Sequence, residues 1–156
     1  MNREPSTPNL TRRDFAALLP LLAAAPAFIP QTASAQDASL KALRSGAYPE
    51  GPASGAQQPV RTSHHYLLGM LPDNIRLEAH TTTLAPGAGP EPIEHHKHSE
   101  MWFVREGELS LMTDGVTRTL KAGEMGLAAA GTDHSVANAS KTEPCSYFVV
   151  AVGPPE

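Results

Sequence analysis

The chain has 156 residues, enough for one domain with a single core. Its composition, 40% hydrophobic and 18% charged with a net charge of −4, is ordinary for a globular protein and argues against nucleic acid or an anionic membrane surface as partner. A single cysteine, Cys145, excludes an intramolecular disulfide and reads as a small apolar residue in a strand.

The first element in chain order is an address. Thr11-Arg12-Arg13-Asp14-Phe15 precedes an almost uncharged stretch, residues 16–30, rich in Ala, Leu and Pro. Ala33-Ser34-Ala35 then supplies the small-residue pattern cut by a signal peptidase. The apolar run is shorter than the ~20 residues a membrane span needs, and Pro20, Pro26 and Pro30 interrupt it. The arginine pair resembles a bacterial twin-arginine export signal, with Phe15 in its usual place and Ala17 where a polar residue is common. The expectation is cleavage after Ala35, a periplasmic location and no stable membrane anchor. Residues 1–35 hold three of the 12 basic and two of the 16 acidic residues, so the 121 that follow carry a net charge of −5 and all seven histidines.

Residues 36–62 read as a linker or N-terminal extension, with one weak helical turn before the Pro/Gly-rich run Tyr48-Pro49-Glu50-Gly51-Pro52. Residues 63–156 read as the folded domain. Short strand-like runs there alternate with turn signals. Residues 66–70 are apolar and stop at Leu71-Pro72-Asp73-Asn74. Residues 75–84 alternate, with Ile75, Leu77 and Ala79 on one face. Arg76, Glu78 and His80 fall on the other, which reads as the solvent face because a half-buried strand turns polar residues outward. Residues 85–90 break the strand. Further strands are expected over 100–105, 108–113, 116–120, 125–130, 135–137 and 145–152, with Asp114-Gly115 closing a tight hairpin. Seven or eight short strands without a convincing helix indicate an all-β fold, a sandwich or closed barrel.

The densest chemistry is Glu94-His95-His96-Lys97-His98-Ser99-Glu100. Imidazole nitrogens mixed with carboxylate oxygens suit iron, manganese, nickel or zinc. In an extended segment Glu94, His96 and His98 project to one side, and His95 and Lys97 to the other. His64 and His65 lie near the linker and are not expected to be ligands. Trp102 and Val104 share the face of Glu100, so Trp102 is a candidate for the pocket wall.

Two spacings carry a family resemblance. Glu100 is followed after six residues by Gly107, with His96 four positions ahead of Glu100. Gly123, Gly131, His134 and Asn138 then follow, with fifteen residues between Gly107 and Gly123. This pattern resembles the two motifs of the cupin superfamily over residues 75–152. The resemblance implies a double-stranded β-helix, a jelly-roll-like barrel holding one divalent metal ion. It places His96, Glu100 and His134 among the ligands. The sequence departs from the pattern twice: Ala129 stands where the second motif has Pro, and Glu94 where the first has its first His. Glu94 is the expected fourth ligand, with His98, His95 after a local bulge, or water as alternatives. Two functions stay open at this stage. One is a metal-dependent enzyme, dioxygenase-like among other reactions, acting on a small organic molecule. The other is a non-catalytic module binding a metabolite or the metal. The resemblance also suggests a homodimer.

Overall fold

The computed structural model describes residues 40–54 and 60–156. The expected export segment, residues 1–35, lies outside them. Among the described residues nine strands follow one another: β1 (Ala53–Ser54), β2 (Arg61–Leu71), β3 (Ile75–Leu84), β4 (Ser99–Glu106), β5 (Glu108–Thr113), β6 (Val116–Lys121), β7 (Met125–Ala128), β8 (His134–Asn138) and β9 (Cys145–Gly153). They form one six-stranded sheet in the order β1-β2-β3-β9-β4-β7 and a three-stranded sheet in the order β6-β5-β8. The named strand pairs are all antiparallel. This is the all-β fold expected from the alternation, in the jelly-roll-like barrel form that the resemblance implies. No helix among the described residues is long and apolar enough to cross a membrane.

The turns form where backbone chemistry demands them. Asp114 and Gly115 both take positive φ, 48° and 77°, and join β5 to β6 as a two-residue hairpin loop. A single 3₁₀ turn over Pro72–Asn74 separates β2 from β3. No helical turn forms over the described residues 40–54. Instead the backbone of Lys41 and Leu43 hydrogen-bonds to Met70, and β1 pairs with β2, so this segment runs beside the barrel as additional extended chain.

Strand register explains why the barrel has a dry end and a polar end. On β3 and β9, Leu84 faces Cys145, Thr82 faces Tyr147 and His80 faces Val149. On β4 and β9, Val104 faces Tyr147, Trp102 faces Val149 and Glu100 faces Ala151. The inward stripe of β3 and of β4 therefore passes from apolar to ionisable in the same direction. Leu84, Trp102, Val104, Leu109, Leu111, Val136, Cys145, Tyr147 and Val149 form the buried core at the dry end. Cys145 is fully buried there, which pushes its thiol up to about 11 and makes it an inert packing residue.

The face assignment on β3 needs correction. Arg76, Glu78 and His80, read from sequence as the solvent face, point into the barrel, with side chains only 11%, 14% and 12% exposed. They stay buried because each finds a partner there: Arg76 Nη2 donates to Glu78 Oε2 at 2.6 Å, and His80 Nδ1 lies 3.1 Å from Glu78 Oε1.

Candidate metal centre

The segment ahead of β4 is extended because it is stitched to β8. Glu94 and His134 exchange both backbone hydrogen bonds, each at 2.9 Å, and the Glu91 amide donates to the Val136 carbonyl at 2.9 Å. Extension preserves the alternation, so Glu94, His96 and His98 share a side and meet Glu100 from β4 and His134 from β8. His95 turns away, exposed beside Asp133.

Three imidazole Nε2 atoms converge on one carboxylate. His98 Nε2 lies 3.3 Å from Glu100 Oε1, His134 Nε2 3.5 Å from Glu100 Oε2, and His96 Nε2 3.9 Å from Glu100 Oε1. Glu94 Oε2 is 3.5 Å from His96 Nε2, at the exposed mouth of the site. Donor atoms of Glu94, His96 and His134 lie within 4.8 Å of one another, as do those of His96, His98 and Glu100. Either set has the spacing to hold an ion. The rings of His96 and His98 stack at 4.6 Å, and the buried Trp102 lies 5.3 Å from the His134 ring.

His134 supplies the strongest test of fit for a metal. Its Nδ1 lies 2.9 Å from the Thr132 carbonyl oxygen, which can only accept, so Nδ1 carries a proton. In a neutral ring Nε2 is then a bare lone pair. It is buried, has no hydrogen-bond partner, and faces Glu100 Oε2. Two acceptors face each other, and a cation or a second proton relieves that arrangement. Without an ion a proton fills this role: the Glu100 carboxylate holds the His134 imidazole above its ordinary pKa against the opposing effect of burial. Glu94 does the same for His96. Burial favours the neutral form of Glu100, but the imidazoles of His134 and His98 outweigh it and keep the carboxyl well below the usual carboxylate range.

The cluster opens on a cavity of about 260 Å³. Its lining includes Arg61, Arg76, Glu78, His80, Glu91 and Tyr147 in addition to Trp102 and the metal-centre residues. Arg61 pairs with Glu91 at 2.6 Å, and burial raises the Glu91 carboxyl. Burial also acts to raise Glu78, but the neighbouring His80 imidazole and Arg76 guanidinium win and hold it at about 2. Sequence reading missed this second wall. The signal was present in three ionisable residues, Arg76, Glu78 and His80, alternating on one face of a barrel strand. His64 lies elsewhere, with its Nδ1 3.1 Å from the Gly51 carbonyl oxygen.

Residues 80–151 match the family model described as a cupin domain. Among solved structures the chain is similar to KdgF from Halomonas sp., at 19% identity over 72% of this chain and 96% of that one, with a TM-score of 0.55. It is similar to a cupin 2 conserved barrel domain protein from Salinispora arenicola, at 23% identity over 68% and 89% of the two chains, TM-score 0.51. It is also similar to the DMSP lyase DddQ from Ruegeria pomeroyi, at 18% identity over 68% and 56%, TM-score 0.51. At these identities the likeness is one of fold. No curated protein matches the chain. The domain match is confined to residues 80–151, and the solved structures share the barrel fold.

Proposed function

We propose that this chain is a metal-dependent enzyme acting on a small, oxygen-bearing organic molecule. His96, Glu100 and His134 would hold the ion, with Glu94 as fourth ligand. The observation that carries this reading is the buried Nε2 of His134, turned towards Glu100 with its other nitrogen committed to Thr132. Glu94 is preferred over His98 because its backbone is locked to that of His134, and because His98 Nε2 already hydrogen-bonds to Glu100. An ion of this ligand type supplies a Lewis acid with coordination positions left for substrate oxygen and, for iron, for dioxygen.

The protein's own groups define what else the site does. The cavity of about 260 Å³ suits a small molecule, and Trp102 offers it one flat apolar wall. Arg61 and Arg76, each paired with a glutamate, place guanidinium groups where a carboxylate or hydroxyl could be oriented. Glu78, held ionised by Arg76 and His80, and Glu91, paired with Arg61, add two carboxylates to the cavity lining. These groups favour chemistry over storage. The reading includes export by the twin-arginine route. It also includes pairing of two copies through the outward apolar residues Phe103, Met125 and Leu127 of β4 and β7.

The test is oxygen uptake and product formation by protein purified with its metal retained, against catechols, flavonols and keto acids. Turnover that Glu100→Gln abolishes is the expected result. Tight binding of such compounds without turnover or oxygen uptake would replace the enzyme by a binding module.

A further inference from the structure

A second group of potential ligands lies across the β2–β3 pair and shares no residue with the first. His65 and His80 are partners in the strand register, so their side chains share a face of the sheet. Glu78, two residues before His80, projects to the same face. The two rings lie 5.0 Å apart. Both direct Nδ1 at a single oxygen, Glu78 Oε1, at 3.3 Å from His65 and 3.1 Å from His80. The three donor atoms lie within 4.8 Å of one another. Arg76 occupies the other oxygen, Oε2, at 2.6 Å, which fixes the carboxylate and leaves Oε1 to the imidazoles.

We propose that His65, Glu78 and His80 form a second divalent-cation site on the β2–β3 wall of the barrel. The His80 contact is the informative one. Its Nδ1 is buried and close to Glu78 Oε1, yet it makes no aligned hydrogen bond. A proton shared between the two atoms favours a linear approach, whereas an ion ligated by both sits off the line joining them. Two imidazoles and one carboxylate suit zinc, nickel, copper or iron, and three protein ligands leave positions for water or for a molecule in the cavity that Glu78 and His80 line. Arg76 acts as the outer partner that orients the carboxylate. Its positive charge also makes this site the weaker of the two.

The proposal is tested with the untagged full chain, stripped by chelator and equilibrated by dialysis against zinc alone. The expected result is two zinc ions per chain. His65→Ala, Glu78→Gln and His80→Gln each reduce this to one, and His134→Ala also leaves one. The His65 side chain is 42% exposed, so His65→Ala is the substitution least able to disturb folding, and circular dichroism confirms the fold of each variant. One ion in the parent protein, lost with His134→Ala but kept with His65→Ala and Glu78→Gln, overturns the second site. Two ions unaffected by those β2–β3 variants also overturn it, because the extra zinc then sits elsewhere. One ion that survives His134→Ala but is lost with Glu78→Gln upholds this site and refutes the first.

Discussion

Glu94 and His98 show how far spacing alone reaches. The pattern around Glu100 placed both on one side of an extended segment, and the structure brings both to the cluster with different surroundings. The Glu94 side chain is 57% exposed at the mouth, whereas His98 is 4% exposed, stacked on His96 and hydrogen-bonded to Glu100. The sequence ranks Glu94 first on the motif register alone; β8, which fixes the Glu94 backbone from outside the motif, was not legible there. Glu94→Ala is expected to weaken zinc binding at this centre strongly. His98→Ala, which removes a supporting partner, is expected to weaken it by about tenfold, at the lower end for such groups. Calorimetric titration of the stripped variants checks the order, and the reverse order would make His98 the ligand.

Glu78 makes a separate prediction through its acidity. The folded chain holds this carboxyl at about 2, compared with 4.5 ordinarily, so the unfolded chain takes up the proton first as pH falls. Its stabilising contribution is present above pH 4.5 and is lost as pH drops from there towards 2. The contribution is on the order of 2–3 kcal/mol. In metal-stripped protein, melting temperature should fall less steeply between pH 5 and 3 for Glu78→Gln than for the parent. Parallel curves would contradict the assignment.

Among the elements, β3 was legible over its whole length and β2 only in part. Residues 75–84 alternate cleanly and start after a turn, and β3 spans Ile75–Leu84. For β2 only the apolar run 66–70 was visible, yet the strand starts at Arg61. Its first half escaped because Arg61 and Ser63 fill inward positions: Arg61 lines the cavity, and Ser63 is buried with its hydroxyl 2.8 Å from that of Thr82. Hydrophobic alternation marks a strand only where the interior is apolar, and the polar end of this barrel breaks that rule. The same cause reversed the faces of Arg76, Glu78 and His80. The motif glycine after β4 was legible, and the structure gives its reason. Gly107 has φ +74°, and a Cβ there would collide with the Pro144 carbonyl oxygen and lie 3.0 Å from Cys145 Cα. Gly107→Ala should cost at least about 2 kcal/mol, combining left-handed strain with displaced backbone. Chemical denaturation measures this, and a loss within experimental error would show that the β4–β5 corner relaxes freely.

For the molecule as a whole, the barrel was legible because both motif spacings and the turn residues agree with one topology. The second wall of the cavity was not, since it depends on which face of β3 turns inward. Export is tested by replacing Arg12 and Arg13 together with Lys: the parent should be recovered from the periplasm beginning at Gln36, and the variant should stay in the cytoplasm. Equal periplasmic yield would remove the twin-arginine route. The metal centre adds a dependence on pH. Glu94 and Glu100 raise the pKa of His96 and His134 respectively, so binding an ion displaces protons from both rings. Zinc affinity should therefore weaken as pH falls through those raised values, by about tenfold per pH unit for each proton displaced. The most direct test compares zinc bound per chain at saturation by the untagged parent and by His134→Ala, near pH 7.5. The variant should bind one ion fewer than the parent, because the buried Nε2 that faces Glu100 is gone. Equal zinc content with equal affinity in the two proteins would show that His134 and Glu100 do not hold a metal.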